Sequence, residues 1–221
     1  MDFSLRNIWT QASANKLRVS IIASTVFHVS GAIGMATPFR DWFLQFTPLV
    51  LILSTAFLVW NASELPKRLI VLFFAVFAMG FLAETIGVQT GLLFGNYHYG
   101  ESFGPKVFGV PLAIGMNWAA LCIASAWVIS QVRIAKIWQI LIGGFLPVFI
   151  DFFMEGLCAD LDFWYWQDGI IPASNYLTWY AFSVLFVWMF LRGIRGTTHS
   201  FAPYFLGIQW AFFAVLNLII T

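Results

Sequence analysis

The chain has 221 residues, 61% apolar and only 10% charged, with a mean hydropathy of +0.84. Soluble domains carry about 25% charged and about 45–50% apolar residues, so this composition excludes a soluble globule and, equally, a disordered chain. A formal charge of +1, from 11 basic and 10 acidic residues, offers no basic surface for nucleic acid.

A membrane helix takes about 20 mostly apolar residues. The hydropathy pattern predicts seven, at 19–37, 42–60, 69–88, 107–130, 134–157, 176–191 and 201–220. The first run is longer than a signal-peptide core and lacks a small-residue exit, so it reads as a retained span. Backbone groups in lipid must be satisfied within each segment. The expectation is therefore a single all-α domain over residues 1–221, multi-pass in the cell membrane.

Lys and Arg set the orientation. Arg6, Lys16, Arg18, Lys67, Arg68, Arg133, Lys136, Arg192 and Arg195 fall on one side, and only Arg40 and Lys106 on the other. This bias predicts an N-terminus inside and, after seven spans, a C-terminus outside. The two long loops, 89–106 and 158–175, then face outward and carry most of the polar and aromatic loop residues.

Several activities lack their residues. No lysine follows Lys136 to form a retinal Schiff base in the last helix, and His28, His98 and His199 are too few and too scattered for a di-iron site. No GxGxxG unit is present for a dinucleotide. Cys122 and Cys158 build neither a disulfide framework nor a zinc site. The expectation is chemistry with no metal and no cofactor.

Ionisable residues within spans are costly and point to function. Glu84 lies near the outer end of the third span, and Asp151 and Glu155 lie in the outer half of the fifth. A spacing of four puts Asp151 and Glu155 on one helix face, about 6 Å apart at Cβ. Two close carboxyls in a poorly solvated site do not both ionise cheaply, so one keeps a proton beside a base. The bland alternative is acids at helix ends, hydrogen-bonded to loops. Pro147, four residues before Asp151, cannot donate to the Gly143 carbonyl and predicts a kink.

Gly87, Gly91 and Gly95 recur every four residues, which alone reads as helix packing through small residues. The following Asn96-Tyr97-His98-Tyr99 brings donors and aromatic faces to the membrane boundary, where Tyr97, His98 and Tyr99 are candidates for substrate binding, His98 as an interfacial hydrogen-bonder rather than a catalyst. The run Asp162 to Trp166 reads either as an interfacial aromatic belt or as a wall for an extended apolar substrate or a cation. In the second reading Trp164 and Trp166 belong to that wall, Trp118 and Trp179 join it, and Asn117 and Asn175 position water.

These segments together carry a resemblance: Glu84 to Tyr99, Gly109-Val-Pro111 through Trp118, Asp151-x-x-x-Glu155 with Trp164-x-Trp166, and Pro172-x-x-Asn175-x-x-x-Trp179. In that order they resemble the integral-membrane carotenoid hydratases, including the bisanhydrobacterioruberin hydratases and the γ-carotene 1′-hydroxylating hydratases. The chain departs from that pattern in having Glu155-Gly156 where the family has Asp-Pro, and Ile171 where a glycine precedes the proline. The resemblance implies addition of water to the terminal 1′,2′ double bond of an acyclic carotenoid end, without a cofactor. Asp151 would be the acid, and Glu155 or Glu84 the base. Tyr97, Tyr99, Trp118, Trp164 and Trp166 would shape a cation pocket. The implied partners are a membrane-dissolved carotenoid, water, the lipid bilayer and neighbouring carotenoid enzymes. A carotenoid end-cyclase begins with the same protonation. A prenyltransferase would need a second acid-rich motif and basic phosphate contacts. A proton-coupled transporter or a non-catalytic pigment-binding protein also stays open.

Overall fold

A computed structural model describes residues 3–220, with side chains from Asn15 onward; the Arg6 side chain lies outside the described residues. Eight helices appear among them: α1 (Phe3–Met35), α2 (Arg40–Leu44), α3 (Thr47–Asn61), α4 (Lys67–Thr90), α5 (Leu112–Ser130), α6 (Lys136–Glu155), α7 (Ala173–Gly193) and α8 (Ala202–Ile220). Six are long and apolar enough to cross a bilayer, and α3 is a shorter apolar helix.

The second expected span, 42–60, is not one helix. Pro48 occupies the first turn of α3. A proline starts a helix well but disfavours a helical turn before it, because it lacks an N–H and its ring meets the carbonyl four residues back. The helix accordingly breaks after Leu44 and restarts at Thr47. With 15 residues, α3 is about 22 Å long. It still joins opposite ends of the bundle. At one end the Arg40 guanidinium, at the start of α2, donates to the Asp160 carbonyl between α6 and α7. At the other, Ser63 N–H donates to Thr198 O between α7 and α8, and Arg68 donates to the carbonyls of Gly193 and Arg195 at the end of α7.

The expected fourth span also starts late. Lys106–Val107 (β2) pairs with Val110–Pro111 (β3). The tight turn between them uses Phe108 and Gly109, both left-handed at φ 53° and 81°. Two positive φ values in succession make a hairpin turn, not a helix.

The central helix is α5. Its apolar stretch is 78% buried, against 28–39% for the other long helices. Ala119, Ala120, Ala124, Ser125 and Ala126 are buried along it, and small side chains allow neighbours to approach from all sides. At Gly144 of α6 a Cβ would lie 2.9 Å from the Val184 backbone, so this glycine sets the close approach of α6 and α7. Pro147 lies inside α6, which continues through it to Glu155.

The two long loops meet. Tyr97–Tyr99 (β1) pairs antiparallel with Trp164–Trp166 (β4), in the register Tyr97↔Trp166, His98↔Tyr165, Tyr99↔Trp164. This ribbon closes the bundle end where α4 and α6 finish and α5 and α7 begin.

Candidate active site

Each acid sits on the inward stripe of its helix. On α4, Val76, Gly80, Ala83, Glu84 and Gly87 are buried; on α6, Gly144, Pro147, Val148, Asp151, Met154 and Glu155 are. These intervals of three and four residues mark the packed face of a helix. Glu84, Asp151 and Glu155 are 2%, 2% and 4% exposed. All three are therefore interior groups, although Glu155 is also the last residue of α6, as the helix-end alternative has it.

Alternation along the ribbon decides what reaches them. Successive side chains of a strand point to opposite faces. Tyr97, Tyr99, Trp164 and Trp166 point inward; His98 and Tyr165 point outward and stack on each other at 5.3 Å. The inward four donate to the carboxyls. Tyr97 OH lies 2.5 Å and Tyr99 OH 2.8 Å from Glu84 Oε2. Trp164 Nε1 lies 3.0 Å and Trp166 Nε1 2.8 Å from Glu155 Oε2. Trp118 Nε1 of α5 completes Glu84 at Oε1, 2.9 Å away, and Asn175 Nδ2 of α7 completes Glu155 at Oε1, 2.6 Å away.

An indole N–H only donates. Glu84 Oε1 and Glu155 Oε2 are therefore acceptors, and each of these two carboxyls receives three donors, the arrangement that suits a carboxylate. Burial, then the Glu84 charge, holds the Tyr97 and Tyr99 phenols well above the ordinary tyrosine range, so both stay protonated as donors. Asp151 differs: its Oδ2 is buried and has no hydrogen-bond partner. An oxygen that accepts no hydrogen bond suits the neutral acid.

Local packing fixes this set. Trp118 stacks on Trp179 with ring centres 3.6 Å apart, and Gly80 makes room for it, since a Cβ there would come within 2.7 Å of the indole. The glycine repeat is not a helix-packing stripe. Gly87 faces Phe94 and Tyr97, Gly91 is the left-handed cap of α4, and Gly95 (φ 120°) lies against Pro172 and Trp166. Asp162 staples the loops by accepting from Glu101 N–H (2.8 Å) and Tyr165 OH (2.9 Å). Lys106 supports β1 by donating to Tyr99 O (2.8 Å) while paired with Glu101.

The carboxyls enclose a cavity of about 20 Å³, lined by Glu84, Tyr97, Tyr99, Ile114, Asn117, Asp151, Met154, Glu155, Trp164, Trp166, Asn175 and Trp179. One water needs roughly 10–15 Å³ and two to four polar partners, and this cavity meets both conditions. Among the described residues, no three His, Cys, Asp or Glu side chains are placed to hold a metal ion.

A family model described as carotenoid biosynthesis protein matches residues 46–220, most of the chain. The chain belongs to the carotenoid biosynthesis protein family. No curated protein and no solved structure matches it. Every residue lining the acid chamber falls within the matched region.

The structure brings together ten of the sequence candidates on the chamber wall: Glu84, Tyr97, Tyr99, Asn117, Asp151, Glu155, Trp164, Trp166, Asn175 and Trp179. Trp118 stands behind the wall, bonded to Glu84. His98 is exposed on the outer face of the ribbon and does not line the chamber. Ile114 and Met154 line it without having been singled out. Their apolar character gives no signal in a sequence full of such residues.

Proposed function

We propose that this chain is an enzyme that hydrates the terminal 1′,2′ double bond of an acyclic carotenoid end by acid catalysis. The observation that carries the reading is the unequal bonding of the three carboxyls: Asp151 Oδ2 has no partner, while Glu84 and Glu155 each accept three donors.

In this reading Asp151 transfers its proton to the less substituted alkene carbon, and the π pair forms the new C–H bond. The positive charge develops on the tertiary carbon, where aromatic faces and two carboxylates attract it. The two anions are costly to bury before reaction and become favourable as the cation forms. That is transition-state binding in excess of ground-state binding. Water adds to the cation and yields its proton to Glu155 or Glu84, and Asp151 recovers a proton from the chamber. The sum is alkene plus water to tertiary alcohol, with no oxidant or reductant.

Room for a water among polar groups favours hydration over cyclisation, which begins alike but must exclude water. The test is expression in cells that make acyclic carotenoids but lack the activity, followed by mass analysis of the pigments. The gain of one water supports hydration; an isomer of unchanged mass indicates a cyclase; unaltered pigment contradicts both.

A further inference from the structure

A second cavity adjoins the acid chamber. Its volume is about 260 Å³, near the lower end of the range for small-molecule pockets, roughly 300–1,000 Å³. It is walled by α1, α2, α3, α5, α6 and α8, and most of its lining is aliphatic or aromatic. It shares Asn117 and Met154 with the acid chamber. These two residues form the junction between a large apolar space and the unpartnered oxygen of Asp151.

The outer rim is formed where the second span breaks. Phe27 of α1, Trp42 of α2 and Leu49 of α3 line the cavity and are 36%, 56% and 47% exposed. In a membrane protein, exposed apolar side chains of this kind meet lipid tails. Phe27 lies about two turns from the Met35 end of α1, so the groove runs about 12 Å along that helix. Among the described residues, no Lys or Arg lines it, so it offers no cation to a phosphate or diphosphate head.

We propose that this groove is a lateral substrate port. An uncharged linear polyene enters from the bilayer between α1 and the break separating α2 from α3. Its end passes between Asn117 and Met154 to reach Asp151. The occupant is an unphosphorylated acyclic isoprenoid hydrocarbon, because the groove is apolar, uncharged and shares two wall residues with the acid chamber. The role of the end at Asp151 rests on the hydration reading above; binding in the groove does not.

Gly31 provides the test. It lines the groove, and a Cβ there would lie 3.5 Å from Phe212, an ordinary contact. A leucine at this position extends into the groove without disturbing the acid chamber. The full chain in lipid nanodiscs is titrated with lycopene, and binding is read from the circular dichroism induced in the polyene band. Hydration is read separately by mass. Wild type and Asp151→Asn should both bind. Gly31→Leu, and Leu49→Trp at the rim, should each weaken binding at least tenfold while keeping the helical far-ultraviolet spectrum. Unchanged binding by folded Gly31→Leu overturns the port. If that variant does not fold, unchanged binding by Leu49→Trp overturns it, as does absence of binding by wild type. Binding by wild type that is lost in Gly31→Leu, with no hydrated product, upholds the port and contradicts the hydration reading instead.

Discussion

Tyr97 and Trp166 face each other across the β1–β4 ladder but donate to different carboxyls, Tyr97 to Glu84 at 2.5 Å and Trp166 to Glu155 at 2.8 Å. Tyr99 and Trp164 repeat the arrangement one pair along. A ribbon of three residues per strand thus joins acids from two different helices. It also ties the loop after α4 to the loop after α6, so loop pairing and carboxylate bonding stand or fall together.

Removing one inward donor should therefore cost rate more than it costs the fold. Tyr97→Phe and Trp166→Phe each delete one hydrogen bond to a charged acceptor, worth about 1.5–3 kcal/mol, or roughly 10- to 100-fold in rate. Turnover in nanodiscs should fall by that factor in each variant, with the helical spectrum retained. His98→Phe, on the outer face, should leave turnover within about twofold.

Asp151→Asn keeps the size of the side chain and removes the transferable proton. A general acid contributes typically 10²–10⁴-fold. Turnover should drop by about that much while polyene binding persists. Near-normal turnover in this variant would move the acid role to Glu84 or Glu155.

The acids were legible in the sequence because carboxyls within apolar spans have few innocent explanations, and the spacing from Asp151 to Glu155 already placed both on one face. The ribbon was not legible. Two three-residue strands lack a periodic signal, and nothing local records that residue 97 meets residue 166. The break in the second span had a signal in Thr47-Pro48, but a continuous hydropathy profile conceals it. Its consequence, the lipid-facing groove, depends on α1, α3 and α8 packing around α5, and no single segment encodes that.

The loop geometry makes a stability prediction at Gly95. Its φ of 120° is strained for any side chain, and a Cβ would sit 2.6 Å from the Pro172 ring. Gly95→Ala should destabilise by roughly 1–3 kcal/mol, read as a lower thermal midpoint. Gly169→Ala, with φ 65° and no neighbour within 4 Å, should cost less.

Acid should weaken the opposite end of the bundle through His199. Its Nδ1 accepts from Ala202 N–H at 2.9 Å, so Nε2 carries the proton toward Leu58 O at 2.7 Å. Burial pushes its pKa down to about 4. The folded state thus favours the neutral ring, and its contribution is fully present above pH ~6.5 and lost as pH falls through 4. Unfolding free energy should decline across that window by on the order of 3 kcal/mol. In His199→Gln the decline should be visibly shallower; an identical slope would remove His199 as the cause.

Orientation has a direct check. Glu64 lies between α3 and α4, Glu101 between α4 and α5, and both are exposed at opposite ends of α4. With the basic end inside, an impermeant thiol reagent applied to intact cells should label a cysteine at Glu101 and spare one at Glu64. The reverse pattern would invert the chain in the membrane.

The most direct test of the central claim is the origin of the atoms added to the product. Turnover in deuterated water should place one deuterium on the carbon beside the new alcohol, because the hydrogen passes through an exchangeable carboxyl at Asp151. Turnover in heavy-oxygen water should label the hydroxyl, and labelled oxygen gas should not. Oxygen derived from the gas, or a product carrying solvent deuterium but no new oxygen, would contradict acid-catalysed hydration.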